Sequence, residues 1–290
     1  MQEFAGKTAI VTGGASGIGR AMAEKFAAAR MNVVLADIEE DALKAAVKDM
    51  QSRQLQVIGT VTNTMRRESV SEAFERAIAE YGNIHILCNN AGIAASTGDR
   101  AIWEVSDQDW EWTLGVNFYG VLYGVQQAVP HMLAHGEPSH IVNTASLAGL
   151  MPGRGPYGVS KHAVLALTES LYRDLKDRKA NVSASVLCPG FVNTNIHAAE
   201  RNRPAGLKRD VSIDESRMQM MKSQLERGKT PEEVADIVFE SIEEDRLYIL
   251  PHPAWDELVL SRAEHILARG GIMTWSPEEM EKRRANGEVF

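Results

Sequence analysis

A tyrosine and a lysine stand four residues apart in Tyr157-Gly-Val-Ser-Lys161, directly after a glycine- and proline-rich loop over 151–156. On a helix, that spacing puts both side chains on one face. An ammonium beside a phenol favours phenolate and lowers the tyrosine pKa toward neutrality. A phenol so poised takes a proton from an alcohol or returns one to a ketone, and the lysine can also hydrogen-bond a ribose. Read alone, the same pair fits a solvated surface contact. Two further residues weigh against that. Ser146, in Asn-Thr-Ala-Ser-Leu-Ala-Gly, follows a strand-like run, and its hydroxyl can hold a substrate oxygen as charge develops there. Asn117, in Gly-Val-Asn-Phe-Tyr-Gly, sits inside a helical stretch, where asparagine is a poor helix former. It can hold a water that relays protons from Lys161, or serve as a satisfied structural amide.

A second chemical group opens the chain. Thr12-Gly13-Gly14-Ala15-Ser16-Gly17-Ile18-Gly19 lies between a strand-like run and a helix. Glycines there let the backbone turn tightly against a pyrophosphate, and the helix N-terminus supplies N–H groups and positive potential. Gly13, Ser16, Gly17, Ile18 and Gly19 are therefore the expected phosphate-side residues, although the spacing also fits a plain glycine-rich turn. Asp37 adds context. It ends the run Val33-Val34-Leu35-Ala36-Asp37, roughly twenty residues past the loop, as a dinucleotide fingerprint requires. A carboxylate there accepts hydrogen bonds from adenosine ribose hydroxyls and repels a 2′-phosphate. Its plainer reading is a strand-end or helix-capping acid. Ser16 and Ile38 leave no evident cation for a 2′-phosphate, so NAD is expected rather than NADP.

These groups need a scaffold. Apolar runs at 8–11, 32–36, 55–59, 84–88, 139–143 and 182–187 alternate with helical stretches at 18–29, 39–51, 68–81, 103–134 and 157–178. That alternation predicts an α/β chain with a doubly wound parallel sheet, covered on both faces. Residues 1–290 read as a single domain. A polar, punctuated stretch over about 190–228 falls beyond the strand ends, where ligands bind, and reads as a substrate-side lid. Thr230 and Pro231 mark a helix start. A last short strand is expected at 248–250, followed by a C-terminal extension over about 251–290 that carries an amphipathic helix at 255–268. Its charged tail after Pro277 is expected to be loosely held.

Composition narrows the class. The formal charge of −8 argues against nucleic acid as the main partner, and 44% apolar residues suffice for a large core. The local cluster Arg201, Arg203, Lys208 and Arg209 reads as a solvated loop. So do His197 and the acid-rich stretch near Asp214. The two cysteines, Cys88 and Cys188, each end an apolar run, which excludes a disulfide framework, and no metal-ligand spacing occurs. The expected setting is cytoplasmic, with no leader and no apolar run long enough to span a membrane.

Taken in order, Thr12 to Gly19, Asn89-Asn-Ala-Gly92, Asn117, Ser146, Tyr157-Gly-Val-Ser-Lys161 and Pro189-Gly190 resemble the short-chain dehydrogenase/reductase family over residues 5 to about 195. The resemblance implies a Rossmann fold and a catalytic tetrad of Asn117, Ser146, Tyr157 and Lys161. It implies cofactor contacts from Asn90, Ala91 and Gly92, and from the stretch containing Pro189, Gly190, Val192 and Thr194. It also implies a homodimer or homotetramer, paired through the helices carrying Asn117 and Tyr157. Three departures stand out. Thr60-Val61 replaces the family's Asp-Val adenine contact, the Ser146–Tyr157 interval is short, and the usual glycine-rich ending gives way to Leu247-Tyr-Ile-Leu-Pro-His-Pro253. That ending, with Thr194-Asn-Ile-His and Arg201-Asn-Arg-Pro204, is similar to the branch containing bacterial Cα-dehydrogenases of lignin-type aryl ethers.

The expected reaction is NAD-linked interconversion of a secondary alcohol and a ketone, with Tyr157 as general acid/base. Met151, Phe191, Ile196, Met218 and Met221 are candidate walls for a bulky apolar or aryl substrate, although a methionine cluster also fits core filling. An NADP-dependent ketoreductase and a catalytically silent, NAD-sensing regulator are the competing readings.

Overall fold

The computed structural model describes residues 1–95, 100–208, 215–272 and 277–288. Arg209 and Asp214 lie outside them. The first half alternates strand and helix: β1 Thr8–Thr12, α1 Gly17–Ala28, β2 Asn32–Asp37, α2 Glu40–Ser52, β3 Val57–Val61, α3 Arg67–Tyr81 and β4 Ile86–Asn89. It continues with α4 Asp107–Leu114, a π turn over Gly115–Tyr119, α5 Gly120–His135, β5 Ser139–Thr144, α6 Gly155–Asp177 and β6 Val182–Leu187. The described strands form one seven-stranded parallel sheet in the order β3-β2-β1-β4-β5-β6-β7, with β7 at Tyr248–Ile249. This is the doubly wound Rossmann arrangement that the alternation predicts. Strand order reverses between β1 and β4, so a crevice opens beyond their carboxyl ends.

The sheet is apolar on both faces because alternate residues point opposite ways. On β1, Ala9 and Val11 join a core with Met22 and Phe26 of α1, whereas Ile10 joins the opposite core with Phe74 of α3 and Val125 of α5. On β2, Val33 and Leu35 face the first core, and Val34 and Ala36 the second.

The helical stretch expected over 103–134 is two helices joined by the π turn, with Asn117 inside it. The third strand begins two residues later than expected, at Val57.

Beyond the sheet lie short 3-10 turns at Ile196–Asn202 and Ala205–Leu207, then α7 Glu215–Glu226, α8 Pro231–Glu243, α9 Asp256–Leu267 and α10 Pro277–Ala285. Thr230 caps α8 through a capping box with Glu233. The charged tail is a docked helix, not a loose end. Arg227 pairs with Glu281 at 3.1 Å, and Arg284 lies 5.9 Å from the Phe191 ring. Its partners lie far away in sequence, so local charge gave no sign of the docking. No helix among the described residues is long and apolar enough to cross a membrane.

Candidate active site

The phosphate loop joins β1 to α1. Gly13 and Gly17 adopt positive φ, +63° and +54°, which side chains disfavour. A Cβ at Gly13 would fall 2.9 Å from the Ala91 backbone, and one at Gly17 would fall 3.0 Å from the Thr194 side chain. The Thr12 hydroxyl accepts the Asn90 and Ala91 N–H groups at 2.9 and 3.0 Å, which ties β4's end to the loop. Gly19 is buried behind the loop, where a Cβ would strike the Gly13 carbonyl. Its missing side chain lets Asn90 and the loop backbone pack against α1, and it is not among the residues that line the cavity.

Asp37 ends β2 and lines the cavity. Its carboxylate accepts the Ala15 N–H at 2.9 Å and the Glu39 N–H at 3.0 Å. Burial raises its pKa, and those backbone donors oppose the rise. Thr60 and Val61 do not join it. β3 ends level with Asp37, Val61 points to solvent, and the following Thr62 and Asn63 line the cavity instead.

Beyond β5 and β6, the cavity reaches the reactive groups. Ser146 follows β5, and its hydroxyl lies beside the Tyr157 phenol, where it favours the phenolate. It also contacts the Pro189 carbonyl at 3.4 Å and accepts the Ala148 N–H at 3.1 Å. Lys161 is buried, donates to the Thr144 carbonyl at 2.9 Å and lies 5.6 Å from the Tyr157 ring centroid. Burial lowers its pKa to about 8. Tyr157 differs from expectation, since burial raises its pKa and Ser146 opposes that only in part. The physical reason is desolvation: the phenolate would be buried, while the lysine's close contact is a backbone carbonyl.

Asn117 is fully buried. Its Oδ1 accepts the Ile93 N–H at 2.8 Å, and its Nδ2 donates to the Ile93 carbonyl and to Ser160 Oγ at 3.0 and 3.1 Å. Both amide hydrogens are thus used, and the side chain braces the segment after β4. A Cβ added at Gly92 would sit 3.5 Å from both Asn117 Oδ1 and Lys161 Nζ, so both groups face the space that this glycine leaves.

The cavity holds about 720 Å³. It brings together Gly13, Ser16, Gly17, Ile18, Asp37 and Ile38 with Asn90, Ala91 and Gly92. Pro189, Gly190, Val192 and Thr194 line it too, as do Met151, Phe191, Ile196, Met218 and Met221. Trp112, Trp255 and Leu225 also line it, and only tertiary folding reveals them. A dinucleotide fits: Gly13 and Gly17 leave the loop backbone open where phosphates would approach, and the Asp37 carboxylate stands at the end of β2.

Of the residues expected to be solvated, Lys208 is exposed and Arg201 is exposed but ion-paired, whereas His197 and Arg203 are not solvated. His197 lines the cavity, and its buried Nδ1 finds no hydrogen-bond partner among the described residues. The arginine cluster forms a two-point clasp. Arg201 and Asn202 bind the Glu39 carboxylate at 2.6 and 3.0 Å. Arg203 is almost buried, 2.7 Å from Asp109 and 4.1 Å over the Trp112 ring. Asp109 and Glu39 lie 94 and 162 residues away in sequence, so the local composition concealed both partners.

A family model described as short chain dehydrogenase matches residues 7–205. A CLA biosynthesis dehydrogenase/reductase from Lactiplantibacillus plantarum is 33% identical, over 93% of this chain and 96% of its own length. A C alpha-dehydrogenase from Sphingobium sp. strain SYK-6 is 32% identical, over 98% of this chain and 92% of its own. The crystal structure of a short chain dehydrogenase/reductase from Burkholderia phymatum in complex with NAD superposes with a TM-score of 0.91 at 41% identity, covering 95% of this chain and 99% of that one. The match over residues 7–205 and the superposition over 95% of the chain agree with the parallel sheet and the glycine loop described above: this chain belongs to the short-chain dehydrogenases, nicotinamide-dependent oxidoreductases, with the Cα-dehydrogenases among its relatives.

Proposed function

We propose that this chain interconverts a secondary alcohol and a ketone with NAD, on a bulky apolar or aryl substrate. The convergence of Tyr157, Ser146 and Lys161 at one end of a cavity whose other end holds Asp37 carries this reading. NAD, when bound, supplies the hydride acceptor. The chain supplies geometry and proton handling. Ser146 Oγ steadies the substrate oxygen, and the Tyr157 hydroxyl takes or gives its proton. Lys161 brings positive charge beneath the phenol and a donor for the nicotinamide ribose. Asn117 holds the Ile93 segment behind them.

NAD is preferred over NADP on charge. Asp37 and Glu39 are the acids at the adenosine end, and Arg201, which does reach that end, is engaged by Glu39. The competing NADP-dependent reading needs that arginine released. Tighter binding of NADPH than NADH in a fluorescence titration would overturn the preference. The wall of Met151, Phe191, Met218, Met221, Trp112 and Trp255 supports a large apolar substrate, as does the likeness to a Cα-dehydrogenase.

A panel of aryl and alkyl secondary alcohols, followed by NADH absorbance, tests the reaction. Tyr157→Phe is expected to lower turnover at least about 100-fold while NADH binding persists. Turnover retained in that variant would remove Tyr157 from its role.

A further inference from the structure

His252 belongs to the Pro-His-Pro segment that replaces the family's glycine-rich ending, and it is 1% exposed. Its Nδ1 accepts the Gly190 N–H at 3.1 Å, and its Nε2–H donates to the Phe191 carbonyl at 2.9 Å. Those two bonds require the neutral ring, with its proton on Nε2. The position has a structural logic. β7 runs parallel to β6, and its backbone ladder ends with the Cys188 N–H bonded to the Ile249 carbonyl at 2.9 Å. Pro189 has no N–H to continue it. The imidazole offers one acceptor and one donor to the next two residues, as a peptide group would. Gly190 leaves the room, since a Cβ there would meet the ring at 3.2 Å.

The clamped loop serves both halves of the reaction. The Pro189 carbonyl receives the Leu147 N–H at 2.9 Å and the Ser146 hydroxyl at 3.4 Å. Further along, Val192 and Thr194 line the cavity. The Phe191 carbonyl also accepts the Lys229 N–H at 3.1 Å, and the Asn193 N–H bonds to the Lys229 carbonyl at 2.9 Å. The loop is thus held between Lys229 and His252.

We infer that His252 is a positioning residue, which holds the 189–194 loop so that it can receive the nicotinamide end of the cofactor. This deepens the dinucleotide reading and rests on it. Protonation of Nδ1 would face one N–H with another and open the Gly190 bond. Burial holds the ring below its ordinary pKa, and Lys229 adds to this, whereas the Phe191 carbonyl and Glu233 oppose it.

The test compares NADH with ADP-ribose, which keeps the adenosine end and lacks nicotinamide, on the full chain. His252→Phe keeps a ring of similar shape and strands the Gly190 N–H. It is expected to weaken NADH about tenfold and leave ADP-ribose within about twofold. His252→Gln restores an acceptor and a donor, and its NADH affinity is expected within about threefold of the parent. Should His252→Phe fail to fold, the pH arm decides. The parent's NADH-to-ADP-ribose affinity ratio is expected to fall as the pH is taken below the ordinary histidine range, and that of His252→Gln to stay flat. Equal losses for both ligands, an unchanged NADH affinity, or identical pH profiles would overturn the inference. A parent chain that binds neither ligand would instead sink the dinucleotide reading.

Discussion

A carboxylate with two of its acceptor positions already bonded to backbone N–H groups can still choose a cofactor. Asp37 is fixed by Ala15 and Glu39, so under the proposed function it would meet the ribose in a set orientation and a 2′-phosphate with set repulsion. Asp37→Ser is expected to weaken NADH about tenfold and NADPH less, narrowing the preference in paired fluorescence titrations. An unchanged ratio would show that selectivity lies elsewhere. At this scale the sequence was informative wherever a residue acts through its own chemistry. Asp37, Ser146, Tyr157 and Lys161 all line one cavity. It was less informative where surroundings decide. The lowered tyrosine pKa expected from its neighbour gave way to desolvation, and Asn117 spends its amide on Ile93 and Ser160.

Elements, not residues, set access to the cavity. The turn over Ile196–Asn202 is tied to the start of α2 by Glu39, and the following residues to α4 by Asp109. The Asp109 tie is buried, so it anchors. The Glu39 tie is partly exposed and borders the cavity. Arg201 also holds the Glu39 carboxyl below its ordinary pKa, which keeps the tie charged at neutral pH. Glu39→Ala is expected to speed NADH release about fivefold, as losing roughly 1 kcal/mol of contact would. Stopped-flow displacement measures the rate, and added salt should move the parent the same way. A rate unaffected by the substitution would mean that this contact does not gate release.

The whole molecule carries a pH liability at the other end of its sheet. His140, which is fully buried on β5, is held at about 4 by desolvation, and its Nε2 lies 2.7 Å from Ser185 Oγ. Burial also lowers His85, which Glu137 partly offsets, and His131, whose Nε2 accepts the Ile84 N–H at 3.0 Å. All three titrate lower folded than unfolded. Stability is therefore complete above about pH 6.5 and is lost as pH falls from there toward the folded values. For His140 the loss reaches about 3 kcal/mol near pH 4. Thermal melts from pH 7 to 4 should show Tm falling, with a shallower fall in His140→Gln. A Tm flat to pH 4.5 would contradict the linkage.

By itself, the sequence determined the alternating strands and helices, the phosphate loop and the reactive side chains. Those signals are local: periodicity, glycine placement, and residue types at short spacing. Only the tertiary structure decided that Thr62 and Asn63, not Thr60 and Val61, reach the cavity, because strand register sets where β3 stops. It alone brought Arg201 to Glu39, Arg203 to Asp109 and His252 to Gly190. Each of those pairs joins segments far apart along the chain, and no local pattern encodes which distant group will arrive to satisfy a charge or a backbone N–H.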